Sequence, residues 1–253
     1  MRIYVTGQLA VEAGGCVLRE RDLPGGQGRI VLAMLAVEHR RPLTREELAD
    51  ELWPERLPRS WETALRAVVS KVRASFASAG IGTSDPIGNA FGCYRLRLPP
   101  AARLDLDEAV DALHAAETEL RLGDAAAAGV NATVTSLICR RPFLPGVYGS
   151  WTLAQRERIR GLRIRAEECL AAAWAESGDF ARSARAAEQA LALDPYREVL
   201  YRRLIHAHAL AGDRAAAAHA YRRCREVLAR ELGIRPAPAT EALFRAAVTG
   251  AAR

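Results

Sequence analysis

Two patterns predict a mainly α protein in two parts. Over residues 1–100 the chain shows short strands, an apolar helix, a short capped helix, a turn, an amphipathic basic helix and a closing strand. That is the order of an N-terminal winged helix-turn-helix of α+β type. Over residues 101–253, Ala-rich amphipathic helices follow one another, and Gly-Asp recurs at a 34-residue spacing. That is the period of an all-α tetratricopeptide-like helical solenoid. Half of the 253 residues are hydrophobic, enough for two packed cores.

The first part reads in order. RIYVTGQLAVEAGGCVLRE gives short strands broken at Gly14-Gly15. RIVLAMLAVEH is apolar and long enough for a buried helix. Thr44 and Glu47 form a capping box, in which the hydroxyl meets a first-turn amide and the carboxylate reaches back. It opens TREELADELW, which Pro54 ends. The next helix, SWETALRAVVSKVRASF, carries Trp61, Leu65, Val68, Val72 and Phe76 on one stripe. Thr63, Arg66, Ser70 and Arg73 collect on the other side, with Arg59 just before. Gly80 to Asn89 reads as a connection, and AFGCYRLRLPP as a strand of a terminal hairpin.

A lone helix of this kind is more often a core helix with a solvated back. The order of its neighbours favours a helix that reads DNA. Long cations separated by small residues suit a phosphate-lined groove. Thr63, Arg66, Ser70 and Arg73 are therefore expected to face the major groove. Arg59 and Lys71 are expected on phosphates, and Arg95 or Arg97 in support of the wing.

The second part contains SGDFARSARAAEQALALDP and AGDRAAAAHAYRRCREVLA, in register through Gly178-Asp179 and Gly212-Asp213. In that register Leu170 matches Leu204, Ala190 matches Cys224, and Leu193 matches Val227. Gly123-Asp124 begins a looser copy, displaced by one repeat plus a 21-residue insertion that contains RRPFLPGVYGSW. Stacked helix pairs of this type share one core and present a surface to a partner.

Net charge is +6, and residues 1–100 and 101–253 carry +3 each, so a DNA-binding surface must come from local arrangement. The five scattered cysteines form no CxxC pair and read as free thiols in a reducing cytoplasm. No apolar run suits a signal peptide or a membrane span. Lys71 is the only lysine and follows no glycine loop, which excludes a Walker A site. GxSxG and HExxH are absent, and His206 and His208 fall on different helix faces. Asp105, Asp107 and Glu108 read as helix N-terminal charge. No enzyme activity, metal or cofactor is expected.

Residues 1–98 resemble the winged-helix domain of the SARP-type antibiotic-pathway regulators, which share the OmpR-like winged fold. The resemblance rests on Gln27-x-Arg29, LTREELADELWP, Ala64-Leu65, Val69-Ser70-Lys71-Val72-Arg73 and Gly92-x-Tyr94-Arg95-Leu96. Cys93 stands where the family more often has a direct Gly-Tyr pair. From Leu104 to Phe244 the chain resembles the bacterial transcriptional activator domain of the same family. That rests on PFLPG with Trp151, Gln155-Arg156-Glu157-Arg158, LYRRL and AYRRCREVLARELGIRPAPATEAL.

The resemblance implies a cytoplasmic transcriptional activator that binds double-stranded promoter DNA. It implies a recognition helix over Ser60–Phe76 and a wing that contacts the minor groove or backbone. It further implies a head-to-tail homodimer on direct repeats and contact with RNA polymerase. The Met1 start and completed repeats lead to the expectation of a stand-alone protein. The alternative is a protein-interaction adaptor, with the solenoid binding a partner and the winged helix serving as a protein-binding module.

Overall fold

The computed structural model describes residues 1–82 and 85–249. Thr83 and Ser84, inside the expected Gly80–Asn89 connection, lie outside the described residues. The chain divides into two compact units, residues 1–108 with 138–159, and residues 109–137 with 160–253.

In the first unit, β1 (Arg2–Tyr4), β2 (Ala10–Ala13) and β3 (Cys16–Arg19) form an antiparallel meander. The short β7 (Arg103–Leu104) joins β1 in parallel, giving the order β3-β2-β1-β7. Helix α1 (Gly25–Val37) buries Val31, Leu32, Met34 and Leu35 and packs on the next two helices. Helix α2 (Arg45–Leu52) opens on the capping box read from the sequence. The Glu47 amide donates to Thr44 Oγ1 at 3.1 Å, and the Thr44 amide to Glu47 Oε2 at 2.8 Å. Helix α3 (Trp61–Ser78) buries Leu65, Val68, Val69, Val72 and Phe76. Trp61 is only half-buried, and Val69 takes a core position that the expected stripe omitted. Strand β4 (Leu43–Thr44) pairs with β6 (Cys93–Leu96), and β6 with β5 (Ile87–Ala90), giving the order β4-β6-β5. The C-terminal end of the expected connection is thus a wing strand.

Residues 138–159, read above as an interruption between repeats, are part of this unit. Thr6 bridges Phe143, and the Gly7 amide donates to Pro142 O at 2.8 Å. Arg29 Nη2 donates to Pro145 O at 2.8 Å, so Gln27-x-Arg29 and PFLPG, two of the motifs behind the resemblance, meet. Glu51, at the end of α2, is 2 % exposed. Its carboxylate accepts the Trp151 amide at 3.0 Å, the Thr152 amide at 3.2 Å and the Thr152 hydroxyl. These amides belong to the first turn of α6 (Ser150–Glu176), where unpaired N–H groups favour an anion. Trp151 Nε1 donates to Glu38 at 3.1 Å, and its ring lies 5.8 Å from that of Phe143.

Asp105 begins α4 (Asp105–Leu122). It lies in the first turn, as expected of a helix-end charge, and it is also buried and ties α4 to the end of β1. It accepts the Val5 amide at 3.1 Å, the Thr6 amide at 3.0 Å and the Thr6 hydroxyl at 2.7 Å. Burial pushes its carboxyl above the usual range, against these hydrogen bonds, which pull it down.

The second unit stacks helix pairs. Helix α5 (Ala125–Cys139) follows α4, α7 (Phe180–Leu193) follows α6, and α8 (Glu198–Leu210) precedes α9 (Arg214–Val227). A π-helical turn over Leu228–Leu232 leads to α10 (Pro238–Thr249). The three Gly-Asp turns share one geometry. Gly123, Gly178 and Gly212 have φ of 79°, 78° and 79°, a left-handed conformation that suits glycine. In each, the following Asp accepts the amide three residues on at 2.9–3.0 Å, capping the next helix. The looser copy at Gly123 is therefore identical where the turn is made. Ala186, Ala187 and Ala190 of α7, Ala207 of α8, and Ala217 and Ala220 of α9 are buried. These small residues let the packed helices approach closely. Tyr221 stacks on Phe244 with centroids 4.0 Å apart, which closes the stack on α10.

A Cβ on Gly149 would stand 2.2 Å from the Glu51 carboxyl. Gly149→Ala is expected to displace the buried carboxylate and lower stability by about 2–4 kcal/mol, measured by denaturant unfolding. A second expectation concerns thiols. Burial pushes Cys169 up to about 11 and Cys224 up to about 12, and Cys139 is also buried. At about pH 8, mass spectrometry should find maleimide on half-exposed Cys16 and Cys93 in the folded chain, and on the other three only after unfolding.

Candidate nucleic-acid interface

Helix α3 sits with its apolar side on α1 and α2. Its exposed side follows from the helical period. Thr63, Ala67, Ser70 and Ala74 run down the middle, and all four are exposed. Arg66 and Arg73 lie along one edge and Lys71 along the other. Among the described residues, the side chains of Thr63, Ser70 and Lys71 have no hydrogen bond or ion pair. Arg66 pairs within the helix, from Nη2 to Glu62 Oε2 at 3.1 Å, and remains well exposed. Arg59 is exposed in the turn before α3.

The other three arginines are engaged within the fold around the wing. Arg73 was expected to face the groove, but it donates through Nε to Ile87 O at 3.0 Å and through Nη2 to the same carbonyl. It also pairs with Asp85 at 3.2 Å. Arg97 pairs with the other oxygen of Asp85 at 3.1 Å. Arg95 Nε donates to His39 O at 3.1 Å. The structure therefore brings Arg73, Arg95 and Arg97 into the frame that fixes the hairpin. It leaves Arg59, Thr63, Arg66, Ser70 and Lys71 on the open side. A partner fourteen residues away leaves no periodic signal in the sequence.

Among the described residues no three His, Cys, Asp or Glu side chains group to hold a metal ion. No helix among them is long and apolar enough to cross a membrane.

A three-helix winged unit with a polar, partly cationic helix face, joined in one chain to a helical solenoid, defines a DNA-binding regulator of the SARP type. The model of the bacterial transcriptional activator domain matches residues 104–247, and the chain belongs to that family. It is 27% identical over 237 residues to transcriptional regulatory protein MoaR1 of Mycobacterium bovis, covering 90% of this chain and 74% of MoaR1. It is 30% identical to regulatory protein AfsR of Streptomyces coelicolor over 86% of this chain and 21% of AfsR. It is 30% identical to transcriptional regulatory protein EmbR of Mycobacterium tuberculosis over 85% of this chain and 55% of EmbR. The chain thus spans about half the length of EmbR and about a fifth of AfsR. The solved structure of M. tuberculosis EmbR, in complex with a low-affinity phosphopeptide, superposes with a TM-score of 0.86 at 26% identity. That match covers 98% of this chain and 65% of the EmbR chain.

Arg73→Ala should remove the brace between α3 and the wing. It is expected to cost about 1–3 kcal/mol and to speed amide exchange across β5 and β6, measured by hydrogen exchange. Arg66→Ala should leave stability within about 0.5 kcal/mol.

Proposed function

We propose that the protein is a cytoplasmic, sequence-specific activator of transcription. Residues 1–100 serve as its DNA-binding part and residues 101–253 as its activator part. Helix α3 enters a major groove of promoter DNA. Thr63, Arg66 and Ser70 meet base edges, and Arg59 and Lys71 meet phosphates on either side. Arg73, Arg95 and Arg97 act indirectly, by holding the wing at a fixed angle to α3. Two copies bind head to tail on direct repeats, and the solenoid contacts RNA polymerase.

The observation that carries this reading is the open face of α3. Its middle is small or hydroxylated at Thr63, Ala67, Ser70 and Ala74, so the helix backbone can come close to base edges. Its flanks are cationic at Arg66 and Lys71.

Selection of bound sites from a random duplex library by the full chain tests this. Enriched direct repeats about one helical turn apart are expected, with affinity that falls steeply with salt. Arg66→Ala should cost about 1–3 kcal/mol and relax preference at one base, whereas Lys71→Ala should lower the salt slope by about one without changing the preferred sequence. No enrichment by the folded wild type, with only weak sequence-blind binding, would overturn the reading.

A further inference from the structure

We propose that the wing carries an apolar wedge, Phe91, which enters the minor groove beside the α3 site and opens a base step there. This rests on the DNA-binding reading above and specifies how the wing takes part in it.

Three observations converge on the tip. Ala90 pairs with Cys93, so the hairpin loop is Phe91-Gly92 alone. Both residues have positive φ, 51° and 78°. A two-residue loop of that hand favours Asn-Gly, because a side chain at the first position crowds the backbone. A phenylalanine there is strained, and strain that persists in a fold points to use. Phe91 is also fully exposed, more so than any other large apolar side chain among the described residues. Its ring contributes nothing to the core, so the fold offers no reason for it.

The cations near the hairpin are already partnered. Arg95 is turned to His39 O, Arg97 to Asp85, and Arg73 to Ile87 O and Asp85. From Asn89 to Cys93 there is no charged residue at all. The tip cannot clamp phosphates through cations. It offers an aromatic ring flanked by Ala90, Gly92 and Cys93, small neighbours that let the ring lead into a groove about 6 Å wide.

The reach fits. Arg73 fixes the Ile87 carbonyl to α3, and Phe91 lies four residues further along. At about 3.4 Å per residue the tip stands about 14 Å beyond that brace. The neighbouring minor groove is half a helical turn from the major groove, about 17 Å. Side chains such as Phe unstack base steps and kink the duplex at such positions. Pyrimidine–purine steps open most readily, so a TA or CA step is expected at a fixed offset from the bases that α3 reads.

The test uses the full chain, the duplex it selects with 2-aminopurine replacing single adenines, and the variant Phe91→Asn. Asparagine tolerates the left-handed conformation, so this variant should melt above wild type and keep the hairpin. It should bind the duplex about tenfold more weakly, and the 2-aminopurine fluorescence rise that wild type produces at one step should disappear. Higher stability with weaker binding is a pairing that a purely structural residue would not give. The wedge is overturned if wild type binds tightly but brightens no step, or if Phe91→Asn matches wild type in affinity and fluorescence. It is equally overturned if that variant binds DNA normally but loses activation by purified RNA polymerase, which would assign Phe91 to a protein contact. Failure of wild type to select any duplex would instead remove the DNA-binding reading itself.

Discussion

The buried carboxylate of Glu51 is the contact on which the first unit turns. A carboxylate taken out of water is costly unless hydrogen bonds replace its hydration. Here two amides and a hydroxyl from the first turn of α6 supply them. The exchange fixes position as well as energy, because the donors are backbone amides and one short side chain. Glu51 closes α2, whose Leu48, Ala49 and Leu52 are buried. Helix α3 packs on α2 and α1. The orientation of the helix proposed to read DNA therefore depends on residues a hundred positions later in the chain. Gly149 keeps the space for that carboxylate, and the requirement is room rather than backbone conformation.

Arginine dominates the basic residues, and the structure divides the work among the arginines of the winged unit. Arg29 and Arg156 donate to the carbonyls of Pro145, Phe143 and Leu144, holding the PFLPG turn from two sides. Arg73, Arg95 and Arg97 hold the wing. The planar guanidinium suits this task, because it can serve a carbonyl and a carboxylate together, as Arg73 does with Ile87 and Asp85. On and just before α3, what remains for a phosphate or a base is Arg59, Arg66 and Lys71. The count of basic residues over the first hundred positions thus overstates the number of guanidinium groups free to meet DNA, since several are engaged within the fold.

What was legible in the sequence follows the range of the interaction. The capping box at Thr44, the amphipathic stripe of α3 and the Gly-Asp turns are local or periodic, and each appears where spacing placed it, except that Val69 rather than Trp61 is buried in the stripe. The anchors are neither. Asp105 looks like any acidic residue in a first helical turn, and its partners Val5 and Thr6 lie a hundred residues earlier. The PFLPG segment looked like an interruption of repeats, because nothing in its own pattern names Arg29, Thr6 or Glu51 as its neighbours. A helical wheel puts Arg73 on one edge of α3 but does not show the hairpin strand that lies against that edge. Phe91 is one residue at a turn whose two-residue loop becomes visible only once β5 and β6 are paired.

The two units are built on different principles, and that difference bears on how each can vary. In the second, every Gly-Asp turn satisfies its own backbone groups, and each helix buries small residues against its neighbours in the stack. Energetics of that kind are close to a sum over repeats and adjacent interfaces. Sequence can drift between repeats, as Ala190 against Cys224 shows, while the turn stays the same. In the first unit, Glu51, Asp105 and Arg29 each join segments far apart in the chain, and each serves several partners at once. Groups that share partners respond together, so their effects do not add. A rigid winged unit with a strained tip is the economical use of that coupling. The cost of holding Phe91 in a left-handed turn is borne by a hairpin braced at its base by Arg73 and Arg97. A looser wing would relax the strain and lose the fixed offset between the tip and α3.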